Sequence, residues 1–564
     1  MPDEEKTVVY DPLIELMARF ENVRATDTAA DPFAGLSVED VLKKHIVDGI
    51  KKNLDAHLER ALETYPPLDI VNEILLDGMK TVGELFGAGK MQLPFVLQSA
   101  EVMKAAVRYL EPKMEKKEGD ERGSILLATV AGDVHDIGKN LVDIILSNNG
   151  YRVVNIGIKQ PINAILDAAA EHKCEVIGMS GLLVKSTLIM KENLEEMNVR
   201  GLSRYPVILG GAALTRGYVE EDLRKIYTGQ VFYAQDAFEG LRLMGELKDS
   251  NPAPAVARDD DLDEAAYQRV ASHRVGVVDA DLYRFDGTLS DTEPAPNVPK
   301  LPFYGARKAL KFDIFELYKY VNRIALFRGQ WQFKRDPEMD NLQFNAWLEE
   351  NVEPIFTRFQ RELASVLRPA VKWGYFPCAA EGNDLIIYAD DFRTERMRFT
   401  FPRQRDGRRL CLADFFRRVP ASPSPETLDT VGFQIVTVGG EVSALEKRMF
   451  EGGEFQNYLF VHGMGVETAE ALAEYWHRQV RLELGIAVDD PSDMRLLFSA
   501  KYRGSRYSFG YPACPNLEDQ AKLFELLSPT DIGIELTDQF MLSPEQSTSA
   551  IVVHHPAAKY FNVR

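Results

Sequence analysis

The stretch GDVHDIGKN, Gly132–Asn140, follows the apolar run SILLATVA at 124–131 and precedes the apolar-periodic LVDIILSNNG at 141–150. The order is strand, loop, helix, and the loop sets a histidine between two aspartates. Outward from it, short β-rich runs alternate with helical stretches: RVVNIG from 152, VIGMSG from 176, PVILGG from 206 and VFYA from 231. That rhythm predicts βαβ units and a doubly wound parallel sheet over about residues 121–250. Ligands of such sheets sit beyond the carboxyl ends of the strands, so Asp133 and His135 occupy a ligand-facing loop. A neutral imidazole there is a good metal ligand, and a carboxylate two residues away can accept its other N–H. Gly138 lets the backbone pass close to a bulky ligand. The same spacing also fits a surface histidine at a helix start with Asp133 or Asp136 as cap. This stretch alone leaves both readings open.

Small residues follow later strands on the same edge: Ser180 and Gly181 in MSGLLVKS, Gly210 and Gly211 in LGGAAL. Such positions make a deep groove. No Gly-x-Gly-x-x-Gly follows the first strand, which argues against a dinucleotide phosphate loop.

The 564 residues are enough for several domains, and 45% hydrophobic content supplies their cores. A formal charge of -20 argues against nucleic acid or an anionic membrane surface, since acidic excess repels phosphate. Cys174, Cys378, Cys411 and Cys514 are far apart with no Cys-x-x-Cys spacing, so neither a zinc site nor a disulfide framework is indicated. A reducing cytoplasm fits best. No signal peptide is expected at the acidic start, and no apolar run reaches the roughly 20 residues of a spanning helix.

Before the sheet block, residues 8–115 carry apolar residues at helical spacing, as in VEDVLKKHIVDGIKKNLDAHLERALE and PFVLQSAEVMKAAVRYLEP. Four such segments predict a small four-helix bundle, with the domain taken as 1–120. After the sheet, NPAPAVARDDDLDE and SDTEPAPNVPKLP mark 251–297 as an exposed linker. Residues 298–564 mix helices such as GVETAEALAEYWHRQVRLELG with β-like runs such as FQIVTVG, which predicts an α+β domain.

Asp133-x-His135-x-x-Gly138, Ser180-x-Leu182 and Gly210-Gly211, in this order, resemble the three-part signature of flavodoxin-like cobalamin-binding domains. The resemblance implies that His135 is the lower axial ligand of cobalt, with Asp133 and Ser186 as a proton relay. It implies cofactor contacts from Gly132, Val134, Asp136, Ser180, Leu182, Val184, Gly210, Gly211 and Ala237. Val184 stands where a threonine is often found. VGELFGAGKMQLPFVLQSAEVMK resembles the helical cap of methionine synthases and corrinoid proteins, which implies that Phe86, Leu93 and Val96 cover the methyl group of methylcobalamin. Asn72 matches a corrinoid contact that is often glutamate.

RGSRYSFGYPACPNLEDQ resembles the Arg-x-x-x-Gly-Tyr-Pro-Ala-Cys-Pro motif of the reactivation domain of cobalamin-dependent methionine synthases, which binds S-adenosylmethionine. Arg506 can grip the ligand carboxylate through paired donors. The resemblance extends that site to Glu470, Ser508, Tyr511, Tyr560 and Phe561, and to Asn322, where many relatives carry aspartate. It implies a monomeric methyltransferase portion that moves methyl from methyltetrahydrofolate through cobalamin to homocysteine. Oxidised cofactor would be restored by S-adenosylmethionine and a flavodoxin-like electron donor. The homocysteine module with its zinc, and the folate module, have no counterpart in the sequence. Two rivals fit the first 250 residues alone: a corrinoid methyl shuttle of methanol or methylamine metabolism, and a cobalamin-based regulator.

Overall fold

The computed structural model describes residues 32–114, 122–248, 282–294, 297–488, 490–491 and 493–563. The expected helical residues 8–31 and most of the expected linker lie outside this set.

The helical domain holds α1 (Val38–Val47), α2 (Leu54–Leu62), α3 (Leu76–Gly87) and α4 (Leu93–Leu110). The Ser37 hydroxyl caps α1 by accepting the Asp40 N–H at 3.1 Å. A short turn at Pro67–Asp69 and a π-helical turn at Ile70–Leu75 lead into α3 without a break. Apolar residues at three- and four-residue spacing meet inside, among them Leu42, Ile46, Leu58, Leu75, Val82, Val96 and Ala106.

The second domain is a five-stranded parallel sheet in the order β2-β1-β3-β4-β5. Its strands are β1 (Ser124–Thr129), β2 (Arg152–Asn155), β3 (Val176–Ser180), β4 (Val207–Gly210) and β5 (Val231–Tyr233). β1 is buried along its whole length, as expected where helices cover both faces. Its even residues Leu126 and Ala128 meet α6 (Ile162–Glu171) and α7 (Val184–Val199), while Ile125 and Leu127 meet α5 (Ile137–Ser147) and α8 (Ala237–Lys248). This strand order is the flavodoxin-like one, whose switch point lies between β1 and β3. The loops bearing His135 and Ser180 therefore flank the crevice that the topology opens.

The third domain is built on an antiparallel sheet in the order β11-β14-β10-β7-β8-β9, with β6 (Gly305–Ala309) also on β7. The central strands are β7 (Ala370–Glu381) and β10 (Asp429–Thr437), and β8 (Asp384–Tyr388) and β9 (Glu395–Thr400) continue on one side. On the other side lie β14 (Ser547–Val553) and β11 (Ser505–Ser508), and a small ribbon joins β12 (Glu535–Leu536) to β13 (Leu542–Ser543). The 29-residue helix α9 (Phe455–Glu483) crosses the sheet and is buried on most of its faces, with Met464, Leu472 and Val480 in the core of this domain. Residues 282–294, within the stretch read as linker, run along this domain. Leu282 enters its core, Asp286 pairs with Arg409 at 2.6 Å, and the Glu293 carbonyl contacts His555 at 2.9 Å.

Candidate functional site

Between β1, β3, β4 and the pair α5 and α8 runs a cleft of about 520 Å³. Its floor is apolar, with Ile125, Leu127, Leu146 and Ile208, and its rim carries His135, Ser180 and Gln235. Gly211 (φ +137) makes the rim compact, because a Cβ there would lie 1.9 Å from the Gly181 carbonyl oxygen. Gly138 has open space around it.

Asp133 organises the rim. It is 0% exposed, and its two oxygens take four hydrogen bonds. Oδ1 accepts from the His135 N–H and contacts His135 Nδ1, both at 2.9 Å. Oδ2 accepts from the Leu182 N–H at 2.8 Å and from the Ser186 hydroxyl at 2.5 Å. Burial alone would raise the Asp133 carboxyl, but the bonds and charge of His135, with the Ser186 hydroxyl, hold it below its ordinary value. Because a carboxylate only accepts, Nδ1 carries the proton in the neutral ring and Nε2 keeps its lone pair at the cleft. A ring held in this way is suited to a metal centre brought in by a ligand. Among the described residues, no group of three or more His, Cys, Asp and Glu could hold a bare ion.

Two other domains close over this rim. Phe86 and Leu93 of the helical domain line the cleft, and Phe86 stacks on Phe238 with centroids 4.4 Å apart. From the third domain come Gln332 and Lys334. The start of α9 is wedged between α4 and α5: Phe455 and Leu459 pack with Leu93, Leu97, Leu141 and Ile144. Asn140 Nδ2 donates to the Tyr458 hydroxyl at 2.9 Å, and the Gln456 N–H donates to Glu101 at 2.9 Å. Gly132 (φ +75) lies against Gln539, and Lys185 sits 5.0 Å from the Phe540 ring centroid. Burial disfavours the imidazolium of His135, but Asp133 and the nearby Glu545 raise it above its ordinary value. Glu545 and Glu446 do the same for buried His462, lifting it to about 9.

A second polar cluster lies toward the other end of α9. Arg506 Nη2 donates to Glu470 at 3.0 Å and its Nε donates to Glu474 at 3.4 Å. Behind them the fully buried Arg481 pairs with Asp490 at 2.8 Å and donates to His477 Nδ1 at 2.8 Å. Tyr511 feels the charges of Glu470 and Arg506, and Tyr560 lies within reach of Tyr511. Burial and the neighbouring Glu470 lift Glu467 to about 7.

The structure brings His135, Gly138, Ser180, Leu182, Gly210, Phe86, Leu93, Gly211 and Ala237 to one cleft. Asp133 and Ser186 lie directly behind it. It does not bring Asn72 there, since that residue is exposed on the π-helical turn. Val96 is 0% exposed inside the bundle, because its position on α4 faces Val82 and not the cleft. Val134 is buried, Val184 opens α7 away from the lining, Gly132 faces Gln539, and Asp136 accepts from Asn140 at 2.9 Å. In the second cluster Phe561 turns inward, 7% exposed and packed with Tyr507 and Phe415. The Asn322 oxygen accepts the Ile324 and Ala325 N–H groups, and Ser508 holds the Cys514 thiol through its carbonyl. Gln332, Tyr458, Glu474 and Glu545 carry no local motif and were not legible.

A parallel sheet with a histidine-bearing switch-point cleft is joined to an α+β domain with a buried arginine cluster. Residues 38–111 and 123–242 match two family profiles described as B12 binding domain. Residues 314–564 match the profile of the vitamin B12 dependent methionine synthase activation domain. The B12-binding and methionine synthase activation profiles thus match three separate stretches of the chain. A methionine synthase of Mycobacterium tuberculosis is 47% identical over 604 aligned residues, which cover 100% of this chain and 50% of the relative. One from Mycobacterium leprae is 46% identical over 98% of this chain and 49% of its own length. The chain therefore spans about half the length of these curated relatives. A solved MetH reactivation domain bound to AdoHcy aligns at 27% identity and TM-score 0.41, covering 50% of this chain and 86% of that one. No helix among the described residues is long and apolar enough to cross a membrane.

Proposed function

We propose that this chain is the cobalamin-carrying and reactivation portion of a methionine synthase. The observation that carries the reading is the Asp133 network, which leaves His135 Nε2 at the rim of a cleft deep enough for a bulky tail. The fit to a corrinoid rests on that donor set and on the apolar floor. Cobalamin, when bound, supplies a cobalt centre that accepts and passes on a methyl group. His135 would hold the cobalt, and Asp133 and Ser186 would fix its ring and move a proton at Nδ1. Ser180, Leu182, Gly210, Gly211 and Ala237 would wall the tail, and Phe86 and Leu93 would keep water from the reactive face.

Arg506 would grip the carboxylate of S-adenosylmethionine and Glu470 its ammonium group, beside Tyr511 and Tyr560. Methyltetrahydrofolate and homocysteine would be presented by other modules of the enzyme. A flavodoxin-like protein would supply the electron for cofactor repair, in a monomeric, cytoplasmic protein. The test has two arms: the absorption spectrum after methylcobalamin is added, and calorimetric titration of S-adenosylmethionine. A histidine-ligated spectrum together with S-adenosylmethionine binding is expected. Binding of cobalamin alone would favour the methyl-shuttle reading.

A further inference from the structure

Gln332 lines the cleft from the third domain with its backbone in the left-handed region, at φ +56. A side chain there is strained relative to glycine, and such strain persists only where the surroundings impose it. They do so on both sides. Trp331, fully buried, donates its Nε1–H to the Phe460 carbonyl at 3.1 Å. The Phe333 N–H donates to the Phe327 carbonyl at 2.9 Å, and the Lys334 N–H donates to Gln92 of the helical domain at 2.6 Å. The kink between these anchors aligns Gln332 with His135, Ser180 and Gly210 along one cavity. Among the described residues, no hydrogen bond engages its side-chain amide. Glycine would satisfy the fold at this position, so the glutamine side chain calls for a ligand.

We infer that Gln332 is a specificity-determining contact for the peripheral carboxamides of the corrinoid, made from the third domain. A corrin rim carries primary amides that both donate and accept. Glutamine is a neutral side chain that answers both roles at once. Of the two residues the third domain brings to the cleft, Lys334 only donates and lies 5.8 Å from the Phe86 ring centroid, so Gln332 is the one that answers both roles. The inference rests on the reading of the cleft as a cobalamin site.

The test uses the full chain, titrated with hydroxocobalamin and with cobalamins in which single rim carboxamides are hydrolysed to carboxylates. Gln332→Gly relieves the positive φ, so its melting temperature is expected to hold or rise while cobalamin affinity falls about three- to tenfold. Wild type should discriminate against at least one carboxylate derivative, and the variant should lose that discrimination. Gln332→Asn, which tolerates the same backbone with a shorter reach, should also bind more weakly and decides the matter if the glycine variant folds poorly. Equal hydroxocobalamin affinity in wild type and both variants would overturn the inference. A wild type that binds no cobalamin would overturn the reading of the cleft along with it.

Discussion

The cleft and the arginine cluster hold their polar groups in opposite ways. At the cleft, one buried carboxylate gathers four donors from the loops after β1 and β3 and from α7, and the imidazole it aims has a free nitrogen. In the cluster, Arg506 is already shared between Glu470 and Glu474. The first site is finished before any ligand arrives. In the second, a carboxylate ligand would have to compete with Glu470, whose side chain is 42% exposed. A preorganised site and a self-paired one should therefore respond differently when a single group is removed.

Arg506→Ala should show the largest effect, because it deletes the ligand's partner and strands two glutamates. Affinity for S-adenosylmethionine should fall between about 30-fold and several-thousand-fold in calorimetry. Arg506→Lys should recover only part of it, since a point charge does not replace a fork. Equal affinity in all three proteins would mean that the pair is purely internal.

At the cleft, His135→Gly should leave cobalamin bound, because the wall residues remain, while the absorption signature of histidine ligation disappears. Asp133→Ala should lose that signature and about 2–4 kcal/mol of stability in denaturant titration, since four donors lose their acceptor. A stable Asp133→Ala with an unchanged spectrum would show that the network does not aim the ring.

Glu467 sharpens the contrast on the side of α9. Its carboxyl is lifted from 4.5 to about 7 in the folded chain. Its stabilising contribution is therefore full below about pH 4.5 and is lost as pH rises through about 7. Glu467→Gln should match wild type at pH 4.5 and exceed it above pH 7 by at most about 3 kcal/mol, as read from paired denaturant titrations. The smallest effect is expected from Phe86→Ala. Phe86 is only partly buried, so the loss should be about 1–2 kcal/mol, with faster photolysis of bound methylcobalamin. Unchanged photolysis would assign Phe86 to packing alone.

The same difference explains what could be read in advance. The cleft's polar groups come from three short loops after successive strands, so alternation of strand and helix was enough to place Asp133, His135, Ser180 and Gly210 on one edge. Ser186 lies in the first turn of α7, in the same segment. Arg506 stood inside a long local motif, whereas Glu474, Arg481 and Asp490 meet it only because α9 lies across the sheet. Val96 and Phe561 mark the limit of the method. Each is an apolar residue beside other expected contact residues, and which side of its element faces inward depends on packing that spacing does not encode. Gln332 was invisible because a positive φ leaves no trace in composition.

Helix α9 is about 43 Å long at 1.5 Å per residue, and Tyr458 and Glu470 lie about 18 Å apart along it. One end is clasped by α4 and α5, and the middle carries Glu470 and Glu474, the partners of Arg506. A packed helix resists bending, so one stiff element joins the clasp to the cluster. Reciprocity then sets the terms: a ligand at Arg506 that favours the clasped arrangement gains affinity from the clasp by the same factor with which it tightens the clasp. Loosening Phe455 or Tyr458 should weaken that ligand without either residue touching it.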